Sequence, residues 1–229
     1  MTLGLCGIAI VLGWIWIHRL LEPIRRLHDQ VRVIGDGDLD QKVCVTSEDE
    51  IGDLGKAFNE MTDSLKAFIQ RFLQFARRPD LEMQKRPLGP IIRDVIDVYR
   101  SEAPDRGVQI ELNWPETLPP VNVDPGMMGQ VIHNLVKNSM DAINGAGNVT
   151  ITGDAGKGEL VITISDSGTG MDETVRARIF EPFYTTKGLG GTGLGMPIVK
   201  TIVEAHRGTI DCISASGEGT TFVIRLPLN

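Results

Sequence analysis

Asn134 and Asn138 are the pair of residues whose type and spacing first suggest chemistry. They are four positions apart, so in a helix they would lie on one face. Amide oxygens are hard ligands, which suit a Mg²⁺ ion that also holds phosphate groups. An isolated asparagine pair is equally typical of a polar helix face, so the metal interpretation depends on the motifs that accompany it.

Three glycine-rich motifs follow this pair. Gly191, Gly193 and Gly195 open a predicted helix, where free backbone amides and the helix dipole favour a phosphate group. Gly168 and Gly170 would let the backbone approach a bound group, although alone they would predict only a turn. Each motif is weak evidence by itself. The three are Asp166-Ser167-Gly168-Thr169-Gly170, Gly191-Thr192-Gly193-Leu194-Gly195 and Gly217-Glu218-Gly219-Thr220-Thr221.

Hydrophobic spacing predicts the elements that must position these motifs. The predicted helices cover residues 88–99, 125–143 and 194–206. The predicted strands cover residues 108–112, 148–153, 160–165, 209–213 and 221–226.

In order with the run from His133 to Asn138, the motifs resemble the N box and glycine boxes of the ATP-binding domain of sensor histidine kinases. The resemblance covers nearly all of residues 82 to 229. It implies a fold of the α+β class, the Bergerat-type α/β sandwich, in which helices lie on one face of a mixed sheet. It also implies ATP and Mg²⁺ as cofactors, with residues 86–229 as the ATP-binding catalytic domain.

The resemblance assigns roles to single residues. Asn138 is the expected Mg²⁺ ligand, Asn134 borders the phosphates, and the Asp166 carboxylate accepts a hydrogen bond from the amino group of adenine. Thr220 or Thr221 completes the pocket. The full set expected to bind ATP is Asn134, Asn138, Asp141, Asp166, Gly168, Gly170, Lys187, Gly191, Thr192, Gly193, Leu194, Gly195, Thr220 and Thr221.

Lys187 follows a cluster of bulky side chains that resembles the F box of the same family. Phe180, Phe183 and Tyr184 stand beside Thr185-Thr186-Lys187. Lys187 can reach phosphate as a mobile cation, and it is equally well explained as a solvated loop lysine.

Asn134 also bears on the class of reaction. Related ATPases of the gyrase, heat-shock chaperone and mismatch-repair classes carry a glutamate at this place, which activates water. Asparagine cannot serve as a general base. The sequence therefore favours phosphoryl transfer or nucleotide binding over hydrolysis.

Residues 1–18 are predicted to form a transmembrane anchor. The sixteen residues from Thr2 to Ile17 carry no charge; as a helix they span about 24 Å, less than a bilayer core of about 30 Å. Arg19, Arg25 and Arg26 follow at once, which places the rest of the chain in the cytoplasm and the anchor in the bacterial inner membrane. A signal peptide and a buried core helix are the alternatives.

Residues 19–70 resemble a HAMP linker, with residues 71–85 as a helical remnant and linker. That module is a parallel dimeric four-helix bundle, so the resemblance implies a homodimer. A plain amphipathic hairpin is the alternative. The second of two heptad series is Ile51, Leu54, Phe58, Met61, Leu65, Phe68, Phe72 and Phe75, which is coiled-coil spacing.

None of the four histidines lies in a motif that a sensor kinase would phosphorylate. The family places a two-helix dimerisation domain with a His-Glu-x-x-x-Pro-type motif between HAMP and its ATP-binding domain. Here residues 68–78 resemble only the end of the second of those helices and join the HAMP helix directly, so nearly the whole dimerisation domain is expected to be absent. His28 is the least implausible acceptor. The expected partners are therefore an acceptor-bearing kinase or a response regulator in trans.

Charge and cysteine content disfavour some other classes of function. The net charge of −7 disfavours general nucleic-acid binding. The three cysteines are far apart and show no metal or redox spacing. The alternatives to a membrane-bound kinase are a non-catalytic ATP-binding regulator that dimerises through HAMP, a truncated kinase relic, and an anti-sigma-type serine kinase, against which the HAMP resemblance argues.

Overall fold

The computed structural model describes residues 25, 28, 40–44, 49–76, 80–188 and 191–228. The predicted anchor and most of the first HAMP helix lie outside the described residues. No helix in the described part of the chain is both long and apolar enough to cross a bilayer. The chain divides into two units, Met1–Arg71 and Phe72–Asn229.

A helix of 27 residues, α1 (Glu50–Ala76), is the main described element of the first unit and continues past its end. Asp49 caps this helix. Its carboxylate accepts hydrogen bonds from the backbone N–H groups of Ile51 and Gly52 at 3.1 and 3.2 Å. Glu50 lies in the first turn, where a negative charge interacts favourably with the helix dipole.

Several heptad side chains of α1 are exposed. Leu54 and Met61 are each 57% exposed, and Leu65 is 44% exposed. Asn59 fixes the segment before the helix, because its amide group donates to the carbonyl oxygen of Val43 at 3.0 Å and its oxygen accepts from the Val43 N–H at 2.8 Å. An exposed apolar stripe is what a second helix would cover, and the homodimer stays a prediction.

The second unit is built on a mixed sheet. Its strands in chain order are β1 (Gln84–Arg86), β2 (Val108–Asn113), β3 (Val121–Val123), β4 (Gly147–Gly156), β5 (Glu159–Asp166), β6 (Thr209–Ser214) and β7 (Thr220–Pro227). The main sheet has five strands in the order β2, β4, β5, β7, β6. Strands β2 and β4 are parallel, and the other neighbours are antiparallel.

Helices cover one face of this sheet. They are α2 (Leu88–Tyr99), α3 (Pro125–Ala142), α4 (Glu173–Arg178) and α5 (Gly195–Ala205). Helix α3 packs against β4 and β5, α5 packs against β6, and α2 packs on α3. Along β5 the side chains of Leu160, Ile162 and Ile164 are buried and alternate with half-buried ones, as expected when one face is covered. The predicted α+β fold with helices on one face of a mixed sheet is confirmed.

The predicted and observed elements differ in a few places. Helix α2 has the predicted bounds, and α3 and α5 agree to within one residue at each end. The two-stranded sheet of β1 and β3 was not predicted, because strands of three residues are too short to show a period. Helix α4 was missed for the same reason, since it has only six residues.

A buried hydrogen-bonded pair joins the start of α3 to the end of α5. The Asp124 carboxylate accepts from the N–H of Met127 at 3.0 Å and from the N–H of Glu82 at 2.9 Å. The backbone N–H of Asp124 donates to Nε2 of His206 at 2.9 Å. Burial raises the pKa of Asp124, but the backbone donors outweigh burial and hold it below its usual value. The pair fixes where α3 begins, and α3 carries both asparagines.

Candidate functional site

Asp166 is the last residue of β5, and its side chain is buried. The described hydrogen bonds to its carboxylate both reach Oδ1: the Gly168 N–H donates at 2.9 Å and the Thr220 N–H at 3.2 Å. They tie the loop after β5 to the start of β7. The carboxylate is therefore held in one orientation by backbone, and neither of these two donors uses Oδ2.

A buried hydroxyl lies beside this carboxylate. Burial raises the pKa of Asp166, and the hydrogen bonds of Gly168 and Thr220 only partly oppose it. Ser139 on α3 lies close enough to Asp166 to lower this pKa as a donor, although the contact does not meet the geometry of an ordinary hydrogen bond. Among the described residues, Ser139 Oγ is the buried side-chain polar atom left without a partner. A buried carboxylate and a buried hydroxyl near it together fit a ligand edge with a donor beside an acceptor, as adenine has.

The glycines after β5 allow the backbone segments around Asp166 to pack closely. A Cβ on Gly168 would lie 2.7 Å from the carbonyl oxygen of Ala142, the last residue of α3. Gly170 has φ +62°, and a Cβ there would overlap the carbonyl oxygen of Ala215. The N–H of Gly217 donates to the Thr169 carbonyl oxygen at 2.7 Å. These glycines therefore permit backbone-to-backbone packing, and their approach to a ligand stays a prediction.

The two asparagines lie on α3 and are half-buried. The Asn134 Oδ1 atom is 3.8 Å from the point where a Cβ on Gly195 would stand, so it faces the first residue of α5. The Asn138 Oδ1 atom accepts a hydrogen bond from the Lys187 ammonium at 3.4 Å. Asn134, which is expected to border the phosphates, therefore faces a helix N-terminus. Asn138, the expected Mg²⁺ ligand, contacts a lysine.

Asp141 lies less than one turn beyond Asn138 and carries two cationic partners. The Lys187 ammonium is 2.8 Å from Oδ2, and the Arg106 guanidinium is 3.2 Å from Oδ1. Burial raises the pKa of Asp141, but Lys187 and then Arg106 outweigh it, so the pKa lies below its usual value. The carboxylate is therefore ionised at neutral pH.

The loop before α5 is held by Gly193. This residue has φ +62°, and its carbonyl oxygen accepts from the Phe183 N–H at 2.9 Å. Leu194 is fully buried and precedes the first residue of α5, while Gly191 and Thr192 are half-buried. The predicted phosphate-binding run therefore leads into a helix of eleven residues.

The two threonines of β7 point to opposite faces of the sheet. Thr220 pairs with Asp166 in the sheet register and is buried; its hydroxyl lies 3.0 Å from Ser214 Oγ. Thr221 pairs with Ser165, and the two hydroxyls are 2.8 Å apart. Because neighbouring side chains in a strand alternate, Thr220 lies on the side of Asp166 and Thr221 does not.

The described histidines lie outside this cluster or serve the fold. Both ring nitrogens of His206 are engaged, since Nδ1 lies 2.8 Å from the Ile202 carbonyl oxygen and Nε2 accepts from Asp124. The Nδ1 atom of His133 lies 2.9 Å from the Tyr99 hydroxyl, where burial raises the pKa of Tyr99 to about 12. His28 is exposed.

Metal binding here would depend on an incomplete set of protein ligands. Within the described part of the chain, no three His, Cys, Asp or Glu residues are grouped to hold a metal ion. Mg²⁺ commonly takes only one or two protein ligands and completes its shell with water and phosphate. The Asn138 oxygen and the Asp141 carboxylate are oxygen ligands that fit such an ion, and the Lys187 ammonium contacts both of them in this structure.

Two residues that contact or neighbour the predicted site residues, Ser139 and Arg106, were not predicted from the sequence. Ser139 follows Asn138 directly, but a serine on a helix gives no signal until its burial is known. Arg106 is 35 positions from Asp141, a separation that carries no periodic pattern.

Two family models match the chain. The model described as "Histidine kinase-, DNA gyrase B-, and HSP90-like ATPase" matches residues 123–229. The HAMP domain model matches residues 17–67.

Two similar proteins are kinases by name. The chain is 35% identical over 181 residues to Sporulation kinase E of Bacillus subtilis (strain 168), covering 77% of this chain and 24% of that protein. It is 32% identical over 180 residues to Sensor histidine kinase ZraS of Escherichia coli (strain K12), covering 79% of this chain and 38% of that one. The chain therefore spans well under half the length of these relatives.

Solved structures show the same fold. The crystal structure of full-length ShkA in complex with AMPPNP aligns with a TM-score of 0.69 at 27% identity, covering 78% of this chain and 39% of ShkA. The catalytic domain of histidine kinase ThkA aligns with a TM-score of 0.59 at 27% identity, covering 65% of this chain and 97% of that domain.

Proposed function

We propose that this chain, which belongs to the sensor histidine kinases through a HAMP linker and a histidine-kinase-type ATPase domain, binds Mg²⁺-ATP and transfers the γ-phosphate to a histidine of another chain. The observation that carries the proposal is the buried Asp166 carboxylate at the end of β5, with the buried Ser139 hydroxyl near it. AMPPNP, an ATP analogue, is bound in the structure of the similar protein ShkA.

The adenine end of the site is formed by strand and helix residues. Asp166 accepts a hydrogen bond from the adenine amino group through Oδ2, because Oδ1 already receives the Gly168 and Thr220 donors. Ser139 lies on the neighbouring helix and satisfies its hydroxyl on the ring edge, directly or through a water molecule. Burial of both groups makes an incorrect base costly, since the polar atoms would remain unpaired.

The phosphate end is formed by α3 and the start of α5. Asn138 would hold Mg²⁺, which neutralises charge on the phosphates. Asn134 faces Gly195, so it borders phosphates held at the α5 N-terminus. Lys187 supplies a mobile positive charge beside them. The amide at position 134 cannot act as a general base for water, so transfer to a positioned nucleophile is favoured over hydrolysis.

The acceptor is proposed to lie in trans. Helix α1 ends at Ala76 and β1 begins at Gln84, which leaves few residues between the HAMP region and the ATPase fold. His206 is engaged through both ring nitrogens. A response regulator would then receive the phosphoryl group from the acceptor-bearing chain.

The remaining proposals concern assembly and location. The exposed heptad face of α1 supports a homodimer through HAMP residues 19–70. The uncharged run of residues 2–17 followed by arginines supports an inner-membrane anchor with the ATP-binding domain in the cytoplasm.

A second candidate function is a non-catalytic regulator, which binds ATP and pairs through HAMP with a complete kinase. The short join between α1 and β1 favours this alternative equally. A truncated kinase relic shares the same architecture.

An assay with labelled ATP separates these functions. We expect no acid-labile, alkali-stable label on the full chain alone, because no described histidine is placed as an acceptor. Adding a kinase fragment that contains the acceptor helix pair but lacks an ATPase domain should produce label on that fragment. Label that accumulates on the chain itself and disappears in His28→Gln would contradict transfer in trans, and label on neither protein would favour the regulator.

A further inference from the structure

Lys187 places its ammonium at the oxygen of Asn138, the expected metal ligand. Its ammonium is 2.8 Å from Asp141 Oδ2 and 3.4 Å from Asn138 Oδ1. The two acceptors are three residues apart on α3, so they present neighbouring oxygens on one side of the helix. A cation already bridges the amide and the carboxylate.

Asp141 is built to keep a negative charge through a change of partner. Its other oxygen, Oδ1, lies 3.2 Å from Arg106, which also reaches the Met140 carbonyl oxygen at 3.4 Å. Arg106 is placed by the 3₁₀ turn Pro104–Arg106, outside the glycine motifs. Arg106 contacts Asp141 through Nη2 and pairs with Glu102 through Nη1 at 3.4 Å. Asp141 therefore keeps a cationic partner when Lys187 leaves.

Two cations cannot share the Asn138 oxygen. A Mg²⁺ ion bound to an oxygen ligand sits about 2.1 Å from it, and the Lys187 ammonium would then face a doubly charged ion at close range. Lys187 carries its charge on a flexible side chain that is 42% exposed, so it can move without unfolding its surroundings.

We propose that Lys187 is an exchangeable counter-cation: it neutralises Asp141 and Asn138 until Mg²⁺ takes its place, and it then moves to the nucleotide phosphates. The exchange rests on the proposed function. It makes Lys187 a positioning residue for the metal, in addition to a phosphate contact. It also explains the surroundings of Asp141. This carboxylate lies near the expected metal ligand Asn138, and its neighbour there is a lysine and not a further metal-binding carboxylate.

The measurement is the ratio of ADP affinities with Mg²⁺ and with EDTA, determined by calorimetry on the full chain. ADP is chosen because it has no γ-phosphate, which limits direct loss of phosphate contacts. Lys187→Met should raise this ratio about fivefold. Metal-free binding loses the ammonium that neutralises Asp141 and Asn138, whereas metal-bound binding loses a competitor for the Asn138 oxygen. Lys187→Arg keeps a cation and should restore a ratio near that of the wild type.

Lys200→Met is the matched control. Lys200 is also ion-paired, with Glu204 at 3.9 Å, and is 48% exposed, so its removal tests the general effect of losing a surface charge. Its ratio should equal that of the wild type. Thermal denaturation of each variant checks that the fold is retained.

Three outcomes overturn different claims. If Lys187→Met weakens ADP binding by the same factor with and without Mg²⁺, Lys187 is only a phosphate contact and the exchange is wrong. A ratio that changes equally in Lys200→Met also contradicts the exchange. If the wild type binds no ADP under either condition, the proposed nucleotide site itself fails, and the exchange fails with it.

Discussion

Replacing Asp166 with asparagine is expected to weaken ATP binding by about 100-fold, because a charge-assisted hydrogen bond is lost and an amide donor faces the adenine amino group. The fold should not become less stable. An asparagine oxygen can still accept from Gly168 and Thr220, and the variant no longer buries a charge. Isothermal calorimetry measures the affinity, and urea denaturation measures the free energy of unfolding.

The difference in unfolding free energy between the wild type and Asp166→Asn changes with pH in a defined direction. Burial raises the pKa of Asp166 above its usual value, so the ionised form is disfavoured in the folded protein. Protonation therefore stabilises the wild type relative to Asp166→Asn as the pH falls through the raised pKa. At pH values above the raised pKa the wild type carries the full penalty, and the variant should be equal or higher in stability.

The matched control for this prediction is Asp154→Asn. Asp154 is an exposed carboxylate of β4 that accepts only from the adjacent Ala155 N–H, at 2.8 Å. Its replacement should change neither ATP affinity nor stability. If Asp166→Asn lost stability and ATP affinity together, Asp166 would be a structural residue whose effect on binding is indirect.

Gly219→Ala is expected to destabilise the ATPase domain by about 3 kcal/mol or more, since left-handed backbone alone costs alanine about 1–2 kcal/mol and overlap adds strain. Gly219 has φ +76°, and a Cβ there would overlap the carbonyl oxygen of Asp166. The overlap can be relieved only by moving the strand end that carries the carboxylate. ATP binding should therefore fall as well.

Gly217→Ala separates steric overlap from backbone conformation. Gly217 has φ +82° in the same loop, and a Cβ there meets nothing within 4 Å. Alanine at this position should cost only about 1–2 kcal/mol and should leave ATP affinity intact. Equal losses of unfolding free energy in the two variants, measured by urea denaturation, would show that the contact between Gly219 and Asp166 does not constrain the site.

The fold was predictable because its motifs and periods lie in continuous segments. Helix α2 and the helix carrying Asn134 and Asn138 could be located from apolar spacing alone. The β1 and β3 strands could not, because three residues show no period and their pairing joins segments far apart in the chain. Residues 1–18 and most of the first HAMP helix stay predictions, since they lie outside the described residues.

The site was predictable in its residue types and less so in their orientation. Asp166 and Asn138 could be selected from the order of the motifs. Choosing between Thr220 and Thr221 required the register that pairs Asp166 with Thr220. The burial of Ser139 and the pairing of Lys187 with Asp141 depend on how α3 packs, which no single motif encodes.

The most direct test of the central claim is calorimetric titration of ATP into the full chain with Mg²⁺ and with EDTA, repeated for Asn138→Ala. We expect one site per chain that binds ATP more tightly with Mg²⁺, and we expect the Mg²⁺ enhancement to be lost in the variant. We also expect that metal-free affinity changes little in the variant, since Asn138 contributes through the ion. Binding of equal strength with and without Mg²⁺, unaffected by Asn138→Ala, would contradict the assignment of this cluster as the Mg²⁺-ATP site.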